Sequence, residues 1–104
     1  MTQDLIPRPM LLEEFTPLVG KLMRVDCEPR NVDITLIEAS PLKEQGITMR
    51  PPFILVFHSD AMVQLSPGIY TMRSGNFGPE LIYMENMAAP FNAAPGNYYQ
   101  AVFN

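Results

Sequence analysis

Residues 98–104 read Tyr98-Tyr99-Gln100-Ala101-Val102-Phe103-Asn104, with no charged or low-complexity tail after them. Chain ends are the loosest part of a domain unless something holds them down. Side chains alternate across a strand, so Tyr99, Ala101 and Phe103 face one way and Tyr98, Gln100 and Val102 the other. The pattern predicts a strand that pairs with an early strand and seals the sheet. Closure removes the exposed edges that invite aggregation.

Working outward from this end, Ala94-Pro95-Gly96-Asn97 comes just before Tyr98, and Ser66-Pro67-Gly68-Ile69 comes just before Tyr70. Pro then Gly at the central positions is type II turn chemistry, with positive φ at the glycine. Each turn launches an apolar stretch, IYTMRS (69–74) and YYQAVFN (98–104). Between them LIYMENM (81–87) follows the loop Gly75-Asn76-Phe77-Gly78-Pro79. FILVFHS (53–59) is apolar on both faces, so both faces are expected to be covered. KLMRVDCE (21–28) and VDITLIEA (32–39) alternate about Pro29-Arg30-Asn31 and read as a hairpin. In them Met23, Val25 and Cys27 share one face, as do Val32, Ile34 and Leu36. The connection SPLKEQGITMRPP (40–52) is long and polar.

Only PMLLEEFTPLVG (9–20) has helical character. Pro9 suits a first helical position, and Leu11 and Phe15 fall four apart on one face. Pro17 and Gly20 limit the helix to about two turns. The expectation is all-β: a small closed antiparallel β-barrel of about six strands with a short N-terminal helix over one opening. Residues 1–104 form one domain, with 1–20 as N-terminal arm and helix and 21–104 as strands.

Composition narrows the function classes. Hydrophobic residues make up 47 % of the 104, too many for a disordered chain. The longest apolar run, Phe53 to Phe57, is far short of the roughly 20 residues that cross a membrane as a helix. Cys27 is the only cysteine, so no internal disulfide forms. The N-terminal stretch lacks the basic-then-apolar order of a signal peptide. A cytoplasmic protein with no membrane partner is expected. Net charge is −4, and Lys21, Arg24, Arg30, Lys43, Arg50 and Arg73 form no stripe. Nucleic acid, which is held through clustered Lys and Arg, is therefore not an expected partner.

Catalytic chemistry finds little footing. His58-Ser59-Asp60 holds the residue types of a hydrolase triad, but neighbours on a strand point to opposite faces and cannot converge. Asp26, Glu28, Asp33 and Glu38 lack the alternating oxygen-ligand spacing of a calcium loop. They read as a solvated face. Zinc draws on several Cys and His, and the chain has one of each. Asp26 and Glu28 beside Cys27 raise its pKa rather than activate it. No Gly-rich loop opens a helix to cradle phosphate. Neither enzyme activity nor a cofactor is expected.

Apolar surface is the remaining lead. Eight methionines is a high share, and methionine serves adaptable contact faces as well as cores. Met49 precedes Pro51-Pro52, Phe77 sits in a Gly-rich loop, and Phe91 sits in MAAPFNAAPGN. These three are the candidate partner contacts, unless they fold back to plug the barrel ends. Contact with a protein partner or self-association is the first functional reading. The alternative is a barrel that binds an apolar small molecule, anchored by Tyr70, Tyr83 and Tyr99. Against it, six strands leave little interior to hold a ligand.

The order of motifs also resembles a family of small bacterial proteins catalogued as a domain of unknown function. Its marks here are Glu14-Phe15 to Gly20, the Phe-rich strand 53–57, Leu65-Ser66-Pro67-Gly68-Ile69-Tyr70, and the Tyr99–Phe103 ending. Pro67 stands where the family often carries a polar residue. The resemblance implies a compact β-barrel-like domain without assigned catalytic residues. It further implies genes near phage-tail-collar-like proteins, and hence an accessory or structural role in a tail-like particle.

Overall fold

The computed structural model describes residues 8–43 and 51–104. The N-terminal segment forms one turn of α-helix, α1 (Leu12–Phe15), which passes into a 3₁₀ turn over Thr16–Leu18 with Pro17 at its start. Helix onset falls later than Pro9 suggests. Leu11 is the N-cap and lies exposed, so Phe15 is buried without it. Leu11 has no side-chain oxygen to cap the turn. Instead, the Glu14 carboxylate accepts the Leu11 N–H at 2.8 Å, while the Glu14 N–H donates to the Leu11 carbonyl at 3.0 Å.

Six strands follow: β1 (Leu22–Val25), β2 (Val32–Pro41), β3 (Phe53–Ser59), β4 (Gly68–Ser74), β5 (Phe77–Met87) and β6 (Asn97–Phe103). They close in the order β1-β2-β3-β6-β5-β4, with every neighbouring pair antiparallel. This is the closed barrel that the alternation predicts. The terminal strand is docked along its full length: β6 pairs with β3 over seven residues, from Phe53↔Phe103 to Ser59↔Asn97. On its other side it meets β5 at Glu85↔Gln100 to Met87↔Tyr98. The halves β1-β2-β3 and β4-β5-β6 are thus joined by β3 and β6 on one side, and on the other by β1 and β4, at Arg24↔Arg73 and Val25↔Met72.

Inward positions follow the period of two. Met23 and Val25, Ile34 and Leu36, Phe53, Leu55 and Phe57, Met72, Ile82 and Met84, and Tyr99 and Ala101 are all buried in one core. Phe15 plugs one opening, its ring 5.0 Å from Phe77, 5.8 Å from Phe103 and 5.9 Å from Phe53. Phe103 in turn stacks on Phe53 at 4.6 Å, with their planes 9° apart. The other opening is covered by the β3–β4 connection, whose Leu65 is buried and whose Val63 packs against the core.

Several boundaries differ from the alternation-based expectation, each for a local reason. β1 stops at Val25 rather than running to residue 28, because the Cys27 N–H turns aside to the Asn31 side chain at 3.3 Å. A bulge between Leu36 and Glu38 lets the inward set shift from Val32, Ile34 and Leu36 to Ala39, which packs on the core. β5 begins at Phe77 within the expected loop, leaving Gly75 and Asn76 as a two-residue hairpin between Ser74 and Phe77. Gly75 has φ +57°, the type II′ habit at the first central position. Gly68 is no left-handed turn residue: it enters the ladder opposite Met84, and Gly96 alone of the two Pro-Gly glycines keeps positive φ.

Candidate functional site

The three connections 26–31, 60–67 and 88–96 share the end of the barrel away from Phe15, since Ser59 lies opposite Asn97 and Val25 opposite Val32. Two of these loops are tied to the strands by side chains. Asn97 Nδ2 donates to the Val63 carbonyl at 2.6 Å, and Asn86 Nδ2 donates to the Leu65 carbonyl at 3.1 Å. His58 points outward from β3, where its Nε2 meets the Pro95 carbonyl at 2.8 Å and its ring packs 4.9 Å from that of Tyr98. The Tyr98 hydroxyl donates to the Ala94 carbonyl at 2.7 Å. Gly96 is obligatory in this contact: a Cβ there would collide with the Ser59 carbonyl and the His58 ring, and φ is +133°.

Beneath the loops lies a buried polar knot. Ser59 Oγ and the Tyr99 hydroxyl are 3.0 Å apart, and the Tyr99 oxygen also accepts the Leu65 N–H at 3.3 Å. Ser59 Oγ lies 3.0 Å from the Val63 carbonyl, to which it donates. Buried polar groups are costly unless satisfied, and here each finds a partner on the loop it holds. The loop is thereby fixed to the floor of the barrel.

On this braced platform two large apolar side chains stand clear of the protein. Phe91 is 94 % exposed and Met62 is 91 % exposed. Phe91 sits in the turn Pro90–Ala93, closed by a 3.0 Å backbone bond, with Asn92 at φ +60°. Met62 is set by its own N–H donating to Asp60 Oδ1 at 2.8 Å. Exposed apolar anchors on a rigid frame suit contact with a partner, because little side-chain or loop entropy is left to lose on binding. Phe91 was legible in the sequence from its aperiodic Ala/Pro/Asn surroundings. Met62 was not, although the preceding Asp60 is the kind of residue that starts such a turn.

The other expected contacts fare differently. Phe77 opens β5 half-buried against Phe15 and belongs to the aromatic plug. Met49 lies outside the described residues. The three tyrosines do not converge on a ligand space. Tyr99 is inside the barrel, the Tyr70 hydroxyl donates to the Ser66 carbonyl at 2.6 Å, and Tyr83 faces solvent from β5. The lumen itself is filled by Phe53, Phe57, Leu55, Met23, Met72 and Tyr99, all at most 1 % exposed.

His58, Ser59 and Asp60 do not meet, each being spent on a different loop contact as described. Of the hairpin's acidic residues, Asp26 and Glu28 edge an open cleft of about 630 Å³ with Arg24, Cys27, Asn31 and Arg73. In it Arg73 pairs with Asp26 Oδ2 at 2.5 Å, and beside it Arg24 pairs with Asp33 at 3.3 Å. The carboxylates Asp26 and Asp33 are thus neutralised in pairs. Among the described residues no three His, Cys, Asp or Glu are placed to hold a metal ion. Burial, and then the Asp26 charge, push the Cys27 thiol pKa up and keep it in its unreactive neutral form.

A family profile described as "Domain of unknown function (DUF6916)" matches residues 10–103, and the chain belongs to that family. No curated protein and no solved structure matches it. Among the described residues no helix is long and apolar enough to cross a membrane.

Proposed function

We propose that this DUF6916 member is a non-enzymatic protein-interaction module that grips a protein partner with the loop end of its barrel. The observation that carries this reading is the almost complete exposure of both Phe91 and Met62, on loops braced by His58, Asn97 and Tyr98. Binding energy concentrates in a few large side chains seated in pockets, and Phe91 is the natural anchor. Among the described residues the loop end carries Asp26, Glu28 and Asp60, with Arg30 as its only cation. That balance disfavours an anionic membrane or a nucleic-acid backbone and favours an apolar pocket on a protein. The partner is met in the cytoplasm. The sequence resemblance supports a narrower setting, in which the partner is a component of a phage-tail-like particle and this chain is its accessory. A small-molecule role has no comparable support, since the filled lumen offers no chamber.

A photo-crosslinking amino acid placed at position 91 in expressing cells tests the reading. It is expected to yield adducts of one defined mass, lost with Met62→Ser, and none from the same probe at Asn76 on the opposite end. Equal labelling from both positions, or none from either, contradicts it.

A further inference from the structure

The outer wall of the barrel carries a second apolar feature. Ile69 of β4 stands opposite Tyr83 of β5, and Ile54 of β3 stands opposite Val102 of β6. Continued two residues past Glu85↔Gln100, where the β5–β6 ladder ends, the same register sets Tyr83 beside Val102, so these four residues fall on one row across four adjacent strands. Ile69 is 65 % exposed, Tyr83 52 % and Val102 45 %. The next outward row, two residues along each strand, runs Glu85, Gln100, Val56, Glu38. Glu85 and Glu38 are exposed, and neither has a salt-bridge partner among the described residues. Neither row holds a Lys or Arg. The nearest cation on β4, Arg73, is already taken by Asp26.

We infer that this row is a docking strip for an extended polypeptide segment bearing apolar residues flanked by Lys or Arg. Two features select that occupant. The row crosses three of the six inter-strand steps of a closed barrel, so it bends around a convex wall, and a flat folded surface would reach only part of it. At about 4.8 Å per step the strip is about 15 Å long, which an extended segment of about five residues spans at ~3.3 Å each. The charge selects the chemistry. An apolar centre rimmed on one side by two carboxylates, neither in a salt bridge among the described residues although Glu38 accepts the Ser40 hydroxyl at 2.8 Å, is complemented by cations on the partner. A second copy of this face has none to offer. Set rim to rim it opposes Glu to Glu, and turned around it opposes Glu to the uncharged Thr71 and Leu81.

A randomised peptide library panned against the immobilised full-length protein tests the assignment separately from the loop-end reading. Selected sequences are expected to carry Lys or Arg beside alternating apolar residues. Their affinity is expected to fall about tenfold or more with Ile69→Ser/Tyr83→Ser and with Glu38→Lys/Glu85→Lys, and to survive Phe91→Ser. The serine and lysine pairs change only outward side chains, and circular dichroism checks that both fold. The inference is overturned by any of the following outcomes: selected peptides without basic enrichment, binding that ignores both double variants or is lost with Phe91→Ser, dimerisation abolished by Tyr83→Ser, or co-sedimentation with phosphatidylcholine vesicles through this face.

Discussion

Among the described residues Tyr99 is the largest fully buried side chain. Its ring fills the lumen while its hydroxyl joins Ser59 and the Leu65 N–H at the base of the β3–β4 connection. Tyr99→Phe keeps the ring and leaves a buried N–H without its acceptor. The expected cost is about 2 kcal/mol. That corresponds to a melting temperature lower by about 8–16 °C in a domain of this size. Thermal denaturation followed by circular dichroism measures it, and an unchanged midpoint would mean the polar knot holds nothing. At this scale the sequence was partly readable. The Ser59 hydroxyl and the Tyr99 ring fall on the inward face by simple alternation. That their polar ends would meet was not readable, because it depends on a loop folding back under the barrel. The same limit hid Met62, whose exposure is set by a single turn around Asp60.

Among the elements, β6 and α1 work as two halves of one closure. Phe103 brings the end of β6 against Phe53, and Phe15 of α1 covers both. Phe103 is half-buried, so Phe103→Ala is expected to cost about 3 kcal/mol, the low edge for a buried phenylalanine. Chemical denaturation measures it directly, as a lower midpoint with an unchanged slope. α1 has its own pH signature. The hydrogen bond from Arg8 and the N–H of Leu11 hold the Glu14 carboxyl below the usual carboxylate range, and Arg8 also bridges to Glu80 of β5 at 2.7 Å. A carboxyl whose pKa is depressed by folding stabilises the fold above its unfolded value of about 4.3. That contribution is lost as pH falls through the folded value. Melting temperature is thus expected to drop more steeply below about pH 4.3 in the wild type than in Glu14→Gln. Parallel curves would remove the role given to Arg8. Element types were legible throughout, since periods of two run through β1, β3 and β6. Their limits were less so. The bulge after Leu36 and the early start of β5 at Phe77 are set by neighbouring strands, which a single segment does not encode.

For the whole molecule, the account rests on a ring of six strands closed around a filled centre, with recognition left to the outside. Closure and the place of the terminal strand in it are legible in the sequence, but the join between β1 and β4 is not. Alternation says which face of a strand turns inward and nothing about which strand lies beside it. The terminal strand does help to seal the ring, since its pairing with β3 joins β1-β2-β3 to β4-β5-β6. The second join lies between β1 and β4, where two residue pairs are extended by the Asp26 N–H donating to the Thr71 carbonyl at 3.0 Å. Native-state hydrogen exchange at the Asp26 amide reads that seam most directly. A closed barrel predicts exchange as slow as at the β3–β6 amides, governed by global unfolding. Fast exchange at Asp26 beside slow exchange in β3 and β6 would mean an open sheet, and would contradict the account.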